Sequence, residues 1–226
     1  MLVPDTPIVG DVELQWLAAA LDGEARAVIW AGVPAFVAPI SYRRHASLDE
    51  VGRTFAARGW PLRLRRSGGG LVPQGPGVLN LTLAYPCDGA PGLMADAVYR
   101  HLCELLARAL STLGIEASPR TVEGSFCDGR YNLAVGDRKI AGTAQYWRRA
   151  GDRHAVLAHA LLLVDADIER LTEVANQFES TLQSERRYRA DALTTVAREQ
   201  PCTDDDNASP QALQQQVVRA LVAAIE

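Results

Sequence analysis

Leu79, Leu81 and Leu83 alternate with smaller or polar residues in GVLNLTLAYP, residues 77–86. This period of two predicts a strand that ends at Pro86. The same alternation in WPLRLRR, with Leu62 and Leu64 set among arginines, predicts a half-buried strand that runs into the turn SGGG. ARAVIWAG and AFVAPI are shorter β-type runs separated by Gly32 and Pro34. YNLAV and RKIAGTAQYW flank Gly136 and Asp137 and predict a hairpin, and AVLAHALLLVD predicts a largely buried strand. Helical spacing begins earlier, with Leu14, Leu17, Ala18 and Leu21 over 12–22 behind a possible cap at Asp11. Ser47 followed by Glu50 has the form of a capping box opening a helix that ends near Gly59. Val98, Leu102, Leu105, Leu106, Leu110 and Leu113 predict a long helix over about 93–113, stopped by Gly114. Two more helices are expected over about 167–176 and 209–225, with the polar loop CTDDDNASP between them. Strands, hairpins and helices are interspersed, so the expected class is α+β with a mainly antiparallel sheet.

Composition changes this picture little. The 226 residues, 48% of them hydrophobic, are enough to bury a substantial core. A net charge of -4 excludes a non-specific nucleic-acid binder, which needs a basic surface to displace counterions. Positive sites must therefore be local, at Arg63, Arg65 and Arg66 or at Arg148, Arg149 and Arg153. Cys87, Cys103, Cys127 and Cys202 form no CxxC pair and no zinc-type cluster, so no metal is expected. Such usage points to a reducing compartment. The N-terminal residues lack the pattern of a signal peptide, and no apolar run reaches membrane-spanning length. A soluble cytoplasmic protein without membrane or nucleic-acid partners is expected.

Three stretches carry candidate chemistry. Gly68, Gly69 and Gly70 permit positive φ and close backbone approach to an anion or a slender chain. No GK[ST] follows and no helix opens there, so a Walker loop is excluded, while a flexible turn stays open. In GDRKIAGTAQ, Lys139 follows a tight turn and Gly142 interrupts the same strand. That lysine is either a solvated hairpin-tip residue or a fixed cation able to polarise a carbonyl. In EGSFCDGRYNL, Cys127 lies between two glycines beside Asp128 and Arg130, and is either a bystander or a nucleophile. Cys103, inside the long helix, reads as a core residue. His154 and His159 face opposite sides of their strand and cannot share a metal; His159 is either a general base or a satisfied buried histidine.

Taken together and in order, RRSGGG, GVLNLTL, the long helix, GRYNLAVGDRKIAGTAQ and HALLLVDADIERL resemble the lipoate-protein ligase and octanoyltransferase family, related to biotin-protein ligase. The resemblance covers roughly residues 10–180. It implies a mixed, mainly antiparallel sheet flanked by helices, an apolar tunnel for a C8 acyl chain, and attachment of lipoate or octanoate to a lysine of a lipoyl domain. Carried over by position, Arg65, Ser67, Gly68, Gly69 and Gly70 would line the carbonyl side of the acyl pocket. Lys139 matches the family's lysine that holds the acyl carbonyl or adenylate phosphate, and Gly142, Thr143 and Ala144 would wall the tunnel. His159 would also bind substrate.

Two chemistries share the scaffold. Ligases activate lipoate with ATP and Mg through lipoyl-AMP. Cysteine-dependent transferases pass the acyl group through a thioester and need no cofactor. Cys127 in C-x-G-x-Y-x-L is similar to the amidotransferase branch. Gln74 and Gly75 stand where ligases usually carry histidine and aspartate, and Ala160-Leu161 stands where the family often has Gly-Thr or Gly-Ser. Ligases also commonly have an accessory domain, whereas residues 1–226 are expected to form a single catalytic domain. The expectation is an acyltransferase with Cys127 and Lys139 as catalytic residues. Its donor would be an octanoyl carrier protein or an octanoyl- or lipoyl-protein. Its acceptor would be a glycine-cleavage H protein or a 2-oxoacid dehydrogenase E2. An ATP-dependent ligase and a non-catalytic acyl-binding module remain as alternatives.

Overall fold

The computed structural model describes residues 2–3, 11–201 and 209–226. Residues 202–208 of the expected CTDDDNASP loop, Cys202 among them, lie outside the described residues. In chain order the elements are β1 (Leu2–Val3), α1 (Asp11–Leu21), β2 (Arg26–Ala31), β3 (Ala35–Pro39), α2 (Leu48–Ala56), β4 (Leu62–Arg65), β5 (Val72–Gln74), β6 (Val78–Cys87) and α3 (Pro91–Ser111). They continue with β7 (Ser118–Pro119), β8 (Leu133–Val135), β9 (Arg138–Ala150), β10 (Arg153–Leu163), α4 (Ile168–Thr181), α5 (Val196–Glu199) and α6 (Pro210–Ile225). A 3₁₀ turn over Ile40–Arg44 and another over Ala190–Ala192, like β5 and α5, carry too few residues for a periodic signal. No helix among the described residues is long and apolar enough to cross a membrane.

The strands form a seven-stranded sheet of order β1-β2-β6-β10-β9-β8-β7 and a three-stranded sheet of order β4-β3-β5. Among the described strands, β1–β2 and β3–β4 pair in parallel and the other pairs are antiparallel, so the fold is α+β with a mixed, mainly antiparallel sheet flanked by helices. The predicted alternation works on both faces of the large sheet. Leu79, Leu81 and Leu83 on β6, with Val156, Ala158, Ala160 and Leu162 on β10, pack against α3 and α6. The opposite face changes partner along its length. Ala84, Ala155 and Leu157 pack under α1, whereas Val78 and Leu163 join the core made by the small sheet, α2 and α4. Between these two packed zones lies the site.

The chain crosses between the sheets at two glycine junctions. A Cβ on Gly32 would approach the Gln74 side-chain oxygen to 2.7 Å and the Gly75 carbonyl to 2.9 Å. Gly77 has φ +78, and a Cβ there would come within 2.5 Å of the Ala166 backbone nitrogen. Its carbonyl accepts a hydrogen bond from the Val164 N–H at 2.8 Å, which locks the crossing to the end of β10.

Two local expectations need correction. Ser47 precedes α2 but makes no side-chain cap. Its ψ of 0° is far from the extended conformation that aims a capping hydroxyl at the first turn. On α1 the buried stripe is Glu13, Leu17, Ala20 and Leu21, while Leu14 and Ala18 are only half-buried. A carboxylate thus occupies a position on the packed face of the helix.

Candidate active site

A cavity of about 740 Å³, counted to its open mouth, lies between the two sheets. The large sheet lines it with Trp30, Asn80, Thr82, Gly142, Thr143, Ala144, His159, Leu161 and Leu163. Register explains the company they keep. His159 pairs across the strands with Thr82 and Ala144, Leu161 with Asn80 and Gly142, and Trp30 with Asn80. These partners share one face of the pleat. Val37, Val72, Gln74 and Arg65 line the opposite wall from the small sheet. Gln74 and Asn80 exchange two side-chain hydrogen bonds, at 3.1 and 2.9 Å, and tie the sheets together.

The loop before β8 closes one end and carries Cys127 with φ +54, an uncommon conformation for a side chain other than glycine. Three donors converge on the Cys127 carbonyl: the Gly129 N–H at 2.9 Å, the Asn132 amide at 2.9 Å and the Lys139 ammonium at 3.0 Å. Lys139 also donates to the Phe126 carbonyl. Its side chain is buried, and burial pushes its pKa down to about 8, with the charges at Cys127 and Asp128 acting to raise it. Gly142 makes this placement possible, because a Cβ there would sit 2.8 Å from the Lys139 nitrogen. The solvated hairpin-tip lysine allowed by the sequence is therefore excluded.

Arg65 is a second buried cation, although alternation alone set it among solvent-facing arginines. Its guanidinium donates to the carbonyls of Val37 at 2.9 Å, Gly68 at 2.9 Å and Gly70 at 2.8 Å, which folds the triglycine turn around it. Burial lowers its pKa, and the charge at Cys127 offsets part of that effect. Gly69 has φ +102, and a Cβ there would overlap the Cys127 sulfur and come within 3.1 Å of the Arg65 guanidinium. A Cβ on Gly70 would meet the Arg186 guanidinium at 2.7 Å. The middle and last glycines are bare because the cysteine loop and Arg186 fill the adjoining space. Gly68 faces open space. None of the three glycines lines the cavity, which departs from the expectation that they wall an acyl pocket.

A second cavity of about 660 Å³ adjoins the first and shares Glu13, Arg65 and His159 with it. Ser67 lines this second space together with Arg43, Arg66 and Tyr146. In the partition, His159 Nε2 lies 3.0 Å from the Ser67 hydroxyl and His159 Nδ1 lies 3.1 Å from the Glu13 carboxylate.

Of the expected site residues, Arg65, Cys127, Lys139, Gly142, Thr143, Ala144 and His159 converge on the first cavity, and Ser67 joins through His159. Sequence reading missed Glu13, Trp30, Gln74, Asn80 and Thr82. Asn80 and Thr82 are the polar positions of an alternating strand and resembled a solvated face, yet both are buried. Glu13 carried a weak signal, since it precedes Leu17 by one helical turn. Cys103 is buried, and desolvation pushes its thiol up to about 11, as befits a core residue.

Residues 19–222 match the lipoyl protein ligase A/B catalytic domain. The chain belongs to this family. It is 50% identical over 196 residues to an uncharacterized protein of Cupriavidus necator, covering 81% of this chain and 78% of that protein. It is 41% identical over 144 residues to the octanoyl-GcvH:protein N-octanoyltransferase of Kyrpidia tusciae, covering 61% of this chain and 49% of that one. A lipoyl-GcvH:protein N-lipoyltransferase of Listeria monocytogenes is 29% identical over 121 residues, or 54% of this chain and 42% of that protein. Matches to these named transferases thus span half or less of their length. The fold is similar to that of a lipoate-protein ligase A crystallised with ATP, with a TM-score of 0.67 and 19% identity over 100% of this chain and 83% of that one. It is also similar to the bi-partite lipoate protein ligase of Thermoplasma acidophilum, with a TM-score of 0.61 and 18% identity over 99% of this chain and 82% of that one.

Proposed function

We propose that this chain is an acyltransferase of protein lipoylation, moving an octanoyl or lipoyl group onto the lysine of a lipoyl-domain protein through a thioester on Cys127. The observation that carries the reading is the pinned Cys127 loop, held by the buried Lys139 at the end of a largely apolar cavity. The acyl chain lies along Val37, Val72, Ile140, Leu161 and Leu163, with Gly142, Thr143 and Ala144 beside it. Cys127 attacks the donor's thioester or amide carbonyl. Two hydrogens of the Lys139 ammonium go to the Phe126 and Cys127 carbonyls, leaving the third for the developing oxyanion. Arg65 supports the sulfur from the other side by holding the triglycine turn against it. A reactive free thiol suits a reducing, cytoplasmic compartment. The named relatives suggest the glycine-cleavage H protein as donor or acceptor, with a 2-oxoacid dehydrogenase E2 or an octanoyl carrier protein as the other partner.

The test is intact-mass analysis after mixing the protein with an octanoyl thioester and no ATP. An octanoyl adduct is expected on the wild type and absent from Cys127→Ala. Full activity in that variant would refute the thioester. The second reading is an ATP- and Mg-dependent ligase, favoured by the two buried cations near the same point, Lys139 and Arg65, either of which could face an adenylate phosphate. It requires free octanoate with MgATP to support transfer that is lost in Lys139→Ala and kept in Cys127→Ala. Transfer to any lipoyl domain excludes a non-catalytic acyl-binding module.

A further inference from the structure

Glu13, His159 and Ser67 come from three separate elements and meet in the partition between the two cavities. Glu13 stands on α1, His159 on β10, and Ser67 two residues beyond Arg65, the last residue of β4. The contacts are 3.1 Å from the carboxylate to Nδ1 and 3.0 Å from Nε2 to the hydroxyl. Both flanking groups are buried, with Ser67 at 2% exposure and Glu13 at 5%. An ionised carboxylate can only accept, so Nδ1 carries the hydrogen in neutral His159 and Nε2 is left as the acceptor for the Ser67 hydroxyl. With its own hydrogen committed to His159, the Ser67 oxygen offers a lone pair to the second cavity. It is therefore an acceptor for an N–H group.

We infer that the second cavity receives the attacking amine and that Ser67 takes its proton. The inference rests on the acyl-thioester reading of Cys127. A Cβ on Gly69, two residues beyond Ser67, would overlap the Cys127 sulfur, so the relay stands beside the acyl group. The neutral amine attacks the Cys127 thioester, the C–N bond forms, the C–S bond breaks, and its electron pair returns to sulfur. The amine's proton passes to the Ser67 oxygen while the Ser67 hydroxyl proton moves to His159 Nε2. Glu13 faces the resulting imidazolium, and the proton then returns to the Cys127 thiolate, restoring both groups. Arg43 and Arg66, which have no ion pair among the described residues, line the same space. Cations beside an amine favour its neutral, nucleophilic form. Ser67 is the residue that touches the amine, whereas His159 and Glu13 act through it as positioning residues.

The experiment separates the two half-reactions. Protein is acylated with octanoyl-pantetheine, the adduct is followed by intact mass, and a lipoyl-domain protein is added to discharge it. Ser67→Ala and His159→Ala are expected to lose at least about tenfold more in discharge than in acquisition of the adduct. They should discharge it roughly a hundredfold more slowly, the scale of general acid–base catalysis. Added imidazole should restore discharge in His159→Ala, where it can refill the gap between Glu13 and Ser67, and should not help Ser67→Ala. Discharge within threefold of wild type in both variants would overturn the inference. So would an equal loss of acylation and discharge without imidazole rescue, because that marks a purely structural role. If wild type gains no adduct, the cysteine reading falls by itself. The relay is then read from aminolysis of octanoyl-adenylate by the same acceptor, with the same ratio between variants expected if it stands and none if it does not.

Discussion

The two sheets each deliver one buried cation to the same point, and they do so by opposite means. Lys139 is the second residue of β9, opposite Ala134 of β8 and two residues before the long antiparallel ladder with β10 begins at Ala141, and needs only a missing side chain at Gly142 to fit. Arg65 stands at the last position of a four-residue strand in the small sheet and must build its own surroundings, gathering three carbonyls around its guanidinium. The long ladder that begins at Ala141 fixes the strand on which Lys139 stands. A short strand has few ladder bonds, so a side chain has to do the organising. Lys139 is accordingly the cation read as chemical, and Arg65 the one read as architectural, with Cys127 between them.

Predictions follow that division. The largest effect falls on neither sheet: Cys127→Ala should lower ATP-independent transfer by roughly a thousandfold or more, with the fold unchanged by circular dichroism. Lys139→Met should cost roughly 10²–10³ in kcat, typical of losing one oxyanion donor, measured by steady-state transfer. In wild type, transfer should also decline as pH rises through about 8, where Lys139 loses its proton, and that limb should vanish in Lys139→Met. Stability should move in the opposite sense. The unfolded lysine keeps its proton to 10.5, so the unfolded chain binds more protons between about 8 and 10.5, and Lys139 adds stability as pH rises across that window. Denaturant melts at pH 7 and 9.5, compared between wild type and Lys139→Met, isolate this contribution.

Arg65→Met tests the architectural side. It should destabilise by about 3 kcal/mol through three orphaned carbonyls, lowering the denaturation midpoint as well as activity. If only kcat fell, the division between the cations would be wrong. Gly77→Ala, at the crossing between the sheets, should cost about 2 kcal/mol from positive φ and backbone overlap, with kcat nearly intact once folded. The mildest change is Gly142→Ala, which displaces the Lys139 ammonium. About a tenfold loss of kcat with little change in thermal midpoint is expected.

The large sheet was legible because alternation and helical periodicity report burial directly. Leu79, Leu81 and Leu83 did face the core under α3, and the Gly136-Asp137 turn did set the hairpin that carries Lys139. The small sheet was legible only as short runs. Alternation assigns Arg65 to a solvent face because a pattern of residue types cannot tell water from a cavity wall. The same ambiguity hid Asn80 and Thr82. Glu13 escaped for a related reason: one acid on an apolar stripe looks like an error in the stripe until its partner, a histidine on a distant strand, is known.

The arginine and triglycine motif shows the boundary well. Sequence alone determined that RLRRSGGG turns sharply, since three glycines leave no side chains to support a regular element, and the missing GK[ST] excluded a Walker loop. It also determined that Cys127 and Lys139 are close in the chain, separated by one hairpin. Only the tertiary structure decided what the glycines make room for. Their freedom is used by Arg65 of the motif itself and by the Cys127 sulfur and Arg186, which arrive from elsewhere in the chain. Local conformation follows from backbone sterics within a few residues, whereas occupancy of the space beside a glycine is settled by how two sheets pack.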